Sequence, residues 1–203
     1  MRLRKAAILA ACAAVLVSCS SEAPKKAAEP KKPAEPVGGR YAFHQTYVAA
    51  RSWATDLEVL RVRNILIEDA PTAPGKSAVW EVTFVSPSKG RAKPYTYSVV
   101  ERENIHQGVF GGAEESWSGP RGQVTSFPIA ALKVDTDAAW EEAASQSKEY
   151  MAKNPDKPIT YLLEKTPRHP NPAWRVIWGT SPASSDYSIY IDASTGQYLE
   201  RMR

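Results

Sequence analysis

The sequence predicts an α+β fold: two tandem units, each a helix followed by a four-stranded antiparallel sheet, behind a disordered leader and linker. Three observations carry this. Residues 78–100 (AVWEVTFVSPSKGRAKPYTYSVV) and 172–192 (PAWRVIWGTSPASSDYSIYID) share the order Trp-x-Val-x-aromatic and then Ser-Pro, which aligns Trp80, Val82 and Phe84 with Trp174, Val176 and Trp178. Each stretch is preceded by a segment of helical periodicity carrying a tryptophan, Trp53 or Trp140. Apolar alternation within each Trp stretch places Glu81 and Arg175 on the opposite face, as in half-buried strands.

In chain order, the leader comes first. MRLRK is cationic, and AAILAACAAVLV is an apolar run too short to span a bilayer, so residues 1–18 are expected to be a signal peptide. Residues 16–19, LVSC, resemble the bacterial lipoprotein box: an apolar residue, two residues of which the second is small, then cysteine. The resemblance implies cleavage before Cys19 and acylation of its sulfur and new amino group, hence a membrane anchor without a transmembrane helix. Ser20 stands where Asp marks inner-membrane retention in many Gram-negative lipoproteins, so in a Gram-negative cell the expected site is the outer membrane, facing the periplasm. The rest of residues 19–40 is Ala/Pro/Lys/Glu-rich with near-repeated KKAAEP and KKPAEP, a solvated tether with little to bury.

The first unit is assigned to residues 41–119. Its helix would place Tyr47, Ala50, Ala54 and Leu57 on one face, followed by a strand near Leu60, the Trp80 strand, the strand YTYSVVE and a closing hairpin. It ends in GVFGGAEESWSGP, residues 108–120, read as a glycine-rich loop. The second unit is residues 120–203. Asp135 or Thr136 should cap a helix that aligns Ala139, Ala143, Ser147 and Tyr150, followed by a strand near Ile159, the Trp174 strand, and a hairpin turning at Asp192 and Gly196.

The carboxyl half is similar to PepSY domains in three features, in order: the helix opening LKVDTDAAWEEA, the Trp strand, and a turn of Asp-x-x-Thr-Gly type at Asp192, Thr195 and Gly196. The likeness covers residues 134–201 and reaches residues 41–110 only through the internal repeat. It implies a non-catalytic module that binds another envelope protein, such as a secreted peptidase, and inhibits or chaperones it.

Composition excludes other classes. The full chain carries 26 basic and 22 acidic residues, but residues 41–203 hold 18 basic against 19 acidic, so the positive balance belongs to leader and linker, and a nucleic-acid role loses its electrostatic basis. The two cysteines, Cys12 and Cys19, leave the folded part without thiol or disulfide. His44, His106 and His169 show no metal-ligand spacing, and no cofactor is expected. No serine elbow is present. Asp192 lacks both the Asp-Thr-Gly order and the second copy of an aspartic-protease pair, so it reads as a turn residue.

The alternative is a hydrolase or a glycan-binding lipoprotein of the cell wall, with Glu114, Glu115 and His106 as its acid or base groups. For partner binding, Phe110 and Trp117 are the candidates, being large aromatics in a glycine-rich segment.

Overall fold

A computed structural model describes residues 34–202; Cys19, the leader and most of the tether lie outside the described residues. A two-residue strand β1 (Val37–Gly38) leads into helix α1 (Gly39–Ala50), then β2 (Glu58–Asn64) and a short hairpin of β3 (Thr72–Ala73) and β4 (Lys76–Ser77). Next come β5 (Val79–Ser86), β6 (Arg91–Ser98), β7 (Gly108–Gly111), β8 (Glu115–Ser116) and β9 (Phe127–Pro128). Helices α2 (Thr136–Ser145) and α3 (Lys148–Lys153) precede β10 (Ile159–Glu164), β11 (Ala173–Trp178), β12 (Ser188–Asp192) and β13 (Tyr198–Met202).

The main sheet is continuous, in the order β13-β12-β11-β10-β2-β5-β6-β7, with every neighbour antiparallel. The expectation of two separate small sheets is therefore corrected. The two meanders meet where β2 and β10 pair, at Leu162 opposite Arg63 and Leu163 opposite Val62. An open end at either strand would leave a row of unpaired backbone groups, and edge-to-edge union removes both. Asn64 reinforces the joint, accepting from Tyr161 N at 2.7 Å while its amide donates to Ile159 O.

Helices cover one face only. The core beneath them includes Val62, Trp80, Val82, Phe84, Leu163, Trp174, Val176 and Ile191, all fully buried. The same indole contact recurs in both halves. Trp80 Nε1 donates to Val37 O at 3.0 Å and Trp174 Nε1 to Val134 O at 2.9 Å, each two residues ahead of its helix, and the rings meet edge to face at 6.5 Å.

The helix starts converge as well. Asp135 caps α2 by accepting from Thr136 N, and the same Oδ1 accepts from Arg40 N of α1 at 2.8 Å. Thr136, fully buried, accepts from Gly39 N at 2.8 Å and donates to Gly75 O. The Asp135 carboxylate thus serves the positive ends of both helices, and the Thr136 hydroxyl adds a second acceptor at the start of α1.

Two helices differ from expectation. The first runs from Gly39 to Ala50, so Ala54 and Leu57 follow it in a turn and a strand approach rather than on its face; the caps from Asp135 and Thr136 start it early, and Trp53 N and Ala54 N both close on Ala50 O. The second is broken at Gln146 and Ser147 into α2 and α3.

Asp192 is a turn residue in the structure. Its Oδ1 accepts from Ser194 N and Thr195 N, its Oδ2 from Asn171 Nδ2, and Gly196 N closes on its carbonyl with Gly196 at φ +80°. Burial pushes its carboxyl up, and the hydrogen bonds from Asn171, Ser194 and Thr195 together outweigh that, so it titrates below its ordinary value. A carboxyl lowered on folding contributes stability that is present above its unfolded pKa of about 3.9 and lost as pH falls through the folded one. Asp192→Asn should therefore be less stable than the parent at pH 6, and the gap should close below about pH 4 in urea melts taken across pH.

Candidate partner-binding surface

The helix-free face of the sheet is where side chains stand accessible on a rigid base. Cross-strand register places eight of them in one transverse row: Phe110, Thr96, Glu81, Arg63, Leu162, Arg175, Tyr190 and Glu200. An aromatic stands towards each end, and Leu162 lies between two arginines.

Most of the charges on this face are paired. Arg63 Nε meets Glu81 at 2.8 Å, Arg61 Nε meets Glu164 at 2.6 Å, and Arg168 and His169 both approach Glu200. Arg175 differs. Its Nε donates to Ser188 Oγ at 2.9 Å and its guanidinium lies over the Tyr190 ring at 5.5 Å, but it has no carboxylate partner among the described residues. Burial raises the Tyr190 phenol, and the positive charges of Arg175 and Arg168 offset that only in part.

Beside Arg175 runs a groove of about 350 Å³, lined by Arg61, Arg63, Leu162, Glu164 and residues 180–182 of the loop after β11. A fork of free N–H donors at its wall, next to an aliphatic and an aromatic side chain, can take a carboxylate or a backbone carbonyl of a bound chain.

Residues 108–120 are not a free loop. β7 and β8 both pair with β6, so the glycine-rich segment is the broken edge of the sheet. Phe110 stands on the helix-free face, half exposed, with the His106 ring at 5.2 Å. Trp117 packs on Leu60, Val85 and Ala92 beside Val124, closing one end of that face, and its buried indole N–H has no partner among the described residues. Of the two expected anchors, Phe110 is the one presented to solvent.

The acid and base candidates of the hydrolase alternative are engaged separately. His106 Nδ1 lies 3.2 Å from Glu101, Glu114 accepts from Trp53 Nε1 at 2.9 Å, and Glu115 pairs with Arg121 at 2.8 Å. Among the described residues no cluster of His, Cys, Asp or Glu could hold a metal ion, and no helix is long and apolar enough to cross a membrane.

No family model matches the chain, and no curated protein does. Among solved structures it is similar to a protein of Clostridium difficile 630 provisionally described as a lipoprotein, at 8% identity and a TM-score of 0.43, covering 84% of this chain and 94% of that one.

Arg175, Tyr190 and Leu162 are the residues that sequence reading passed over. Arg175 was placed on the outer face of its strand, but an outward arginine on a strand is ordinary; what distinguishes it, the absence of a carboxylate across the strands, depends on pairings invisible along the chain.

Proposed function

We propose that the chain is a lipoprotein of the cell envelope, anchored through Cys19 and built from two PepSY-like units, that binds another envelope protein over its helix-free sheet face and performs no chemistry of its own. The observation that carries the binding reading is Arg175, without a carboxylate partner among the described residues, between Leu162 and Tyr190 in the transverse row. Arginine and tyrosine are the side chains most often found at the energetic centre of protein interfaces, and here both are held by neighbours before any partner arrives. The duplicated-unit reading is supported by the repeated indole contacts of Trp80 and Trp174. The lipid anchor rests on the residues around Cys19, with the outer membrane, facing the periplasm, as the address expected in a Gram-negative cell.

The test is site-specific photocrosslinking in the native envelope, with the crosslinker placed at Leu162 or, as control, at exposed Glu141 on α2. One stoichiometric protein is expected from Leu162 and none from Glu141, with the yield falling at least tenfold in Arg175→Ala, as for the loss of about 1.4 kcal/mol or more from an interface anchor. Equal capture from both positions, or capture indifferent to Arg175, would sink the reading. A captured peptidase would then be assayed for inhibition.

A further inference from the structure

The two ends of the main sheet are protected very differently. Edge strand β13 carries Glu200 and Arg201, and its pairing with β12 is broken by a register shift between Tyr190 and Ile191. Charges and irregular register are the devices that keep an edge from pairing with another chain. Edge strand β7, Gly-Val-Phe-Gly, has no charge, no proline and an unbroken register on β6.

Exposed apolar side chains gather at that same edge. Of the five large hydrophobic residues most exposed among those described, Tyr41 and Val48 lie on α1 and Val109 and Phe110 on β7. Helix α1 packs over β5, β6 and β7, and Tyr41 meets Tyr97 of β6 edge to face at 5.7 Å. Val48, seven residues on from Tyr41, lies on the same side of the helix.

The hydrogen-bond alternation decides what β7 still offers. Gly112 N donates to Pro94 O, and Val99 N to Ala78 O, so the even-numbered residues of β6 bond towards β7 and the odd-numbered ones towards β5. In β7, Gly108 and Phe110 are therefore committed to β6, while the N–H and C=O groups of Val109 and Gly111 point outward.

We propose that β7 pairs antiparallel with β7 of a second copy of this chain. A register centred on Phe110 sets Val109 opposite Gly111 of the other copy, twice over, and satisfies all four outward groups of each strand. The two Phe110 side chains then meet as a non-hydrogen-bonded pair, with Cα atoms about 4.5 Å apart. The bulk of Val109 faces a glycine, so the strand is complementary to itself, as a two-fold interface requires. The transverse row of the helix-free face continues through Phe110 into the partner copy. The inference does not depend on that face binding another protein.

The area involved sets the strength. Durable dimers bury roughly 1,200–2,000 Å². Two four-residue strands flanked by Tyr41 and Val48 reach at most the lower end, so pairing is weak in dilute solution and grows where copies are concentrated in one membrane.

Disulfide trapping of the full chain in its own membrane tests this, with copper phenanthroline as oxidant. Parent protein, whose cysteines are Cys12 and Cys19, sets the background. Phe110→Cys should give a reducible band of twice the monomer mass, at least tenfold above Tyr198→Cys on the opposite edge, and adding Val109→Lys should cut it at least tenfold. Three results would overturn the proposal: a monomer only, equal trapping at positions 110 and 198, or a Phe110→Cys adduct with a different protein. The last would mean that the edge recruits a foreign strand.

Discussion

Gly75→Ala should cost about 3 kcal/mol or more of folding stability, far beyond what a surface alanine normally does. Gly75 sits at the tip of the β3–β4 hairpin with φ +72°, a conformation that costs an L-residue about 1–2 kcal/mol. A Cβ there would lie 2.3 Å from Asp137 Cα, 2.6 Å from Asp137 N and 2.8 Å from Thr136 O. All three are backbone atoms in the first turn of α2, which has no flexible end to move aside. Overpacking of this kind adds about 1–3 kcal/mol. The hairpin tip is also held by Tyr161, whose hydroxyl accepts from Gly75 N at 2.8 Å and whose burial pushes its phenol well above the usual range. Gly122→Ala is the control. It shares a positive φ of +63° but meets nothing within 4 Å, so only the conformational cost of about 1–2 kcal/mol remains. Urea midpoints of the two variants should therefore differ by about 1 M, with the Gly75 variant lower. Equal midpoints would mean that the hairpin tip moves away from α2 at little cost.

Thr136→Val should be nearly as severe, at about 3 kcal/mol, although the two side chains have almost the same shape. The Thr136 hydroxyl is fully buried and links three segments: it accepts from Gly39 N, donates to Gly75 O and lies 3.2 Å from Asp135 Oδ1. Valine would leave a buried N–H and a buried C=O without partners, each costing about 1–3 kcal/mol. Thr83→Val, on the helix-free face where the threonine makes no hydrogen bond to a described residue, should stay within about 0.5 kcal/mol of the parent. Denaturant unfolding followed by tryptophan fluorescence reads both, since Trp80 and Trp174 lie beside the site. A Thr136→Val variant as stable as Thr83→Val would show that the start of α1 finds another cap.

The elements with a strong local signal were legible along the chain. Alternation in WEVTF and WRVIW predicted two strands with their tryptophans turned inward, and Trp80 and Trp174 are indeed fully buried in β5 and β11. A cap at Asp135 or Thr136 was readable because its chemistry acts on the next few residues, and Asp135 is the one that takes it. Asp192 was readable as a turn device for the same reason. Where local signals misled, a distant contact had taken over. The start of α1 depends on residues 95 and 97 positions away, and the glycine-rich segment becomes an edge strand because β6 offers it hydrogen bonds. Trp117, large and flanked by glycine and serine, gave no sign that Leu60, Val85 and Ala92 would receive it.

The candidate surface was legible only in its parts. Glu81 and Arg175 were placed outward by parity, but the row they share exists because β2 pairs with β10 and joins two meanders into one sheet. By itself the sequence determined the two Trp strands, which face of each would be buried, and the turn at Asp192. Tertiary structure alone decided that the sheet is continuous, that Asp135 serves the starts of both helices while Thr136 holds that of α1, and that Arg175 has no carboxylate partner among the described residues. The division has a physical cause: periodicity and capping act over a few residues, whereas strand order and charge pairing are settled by whichever distant groups the buried core brings into register.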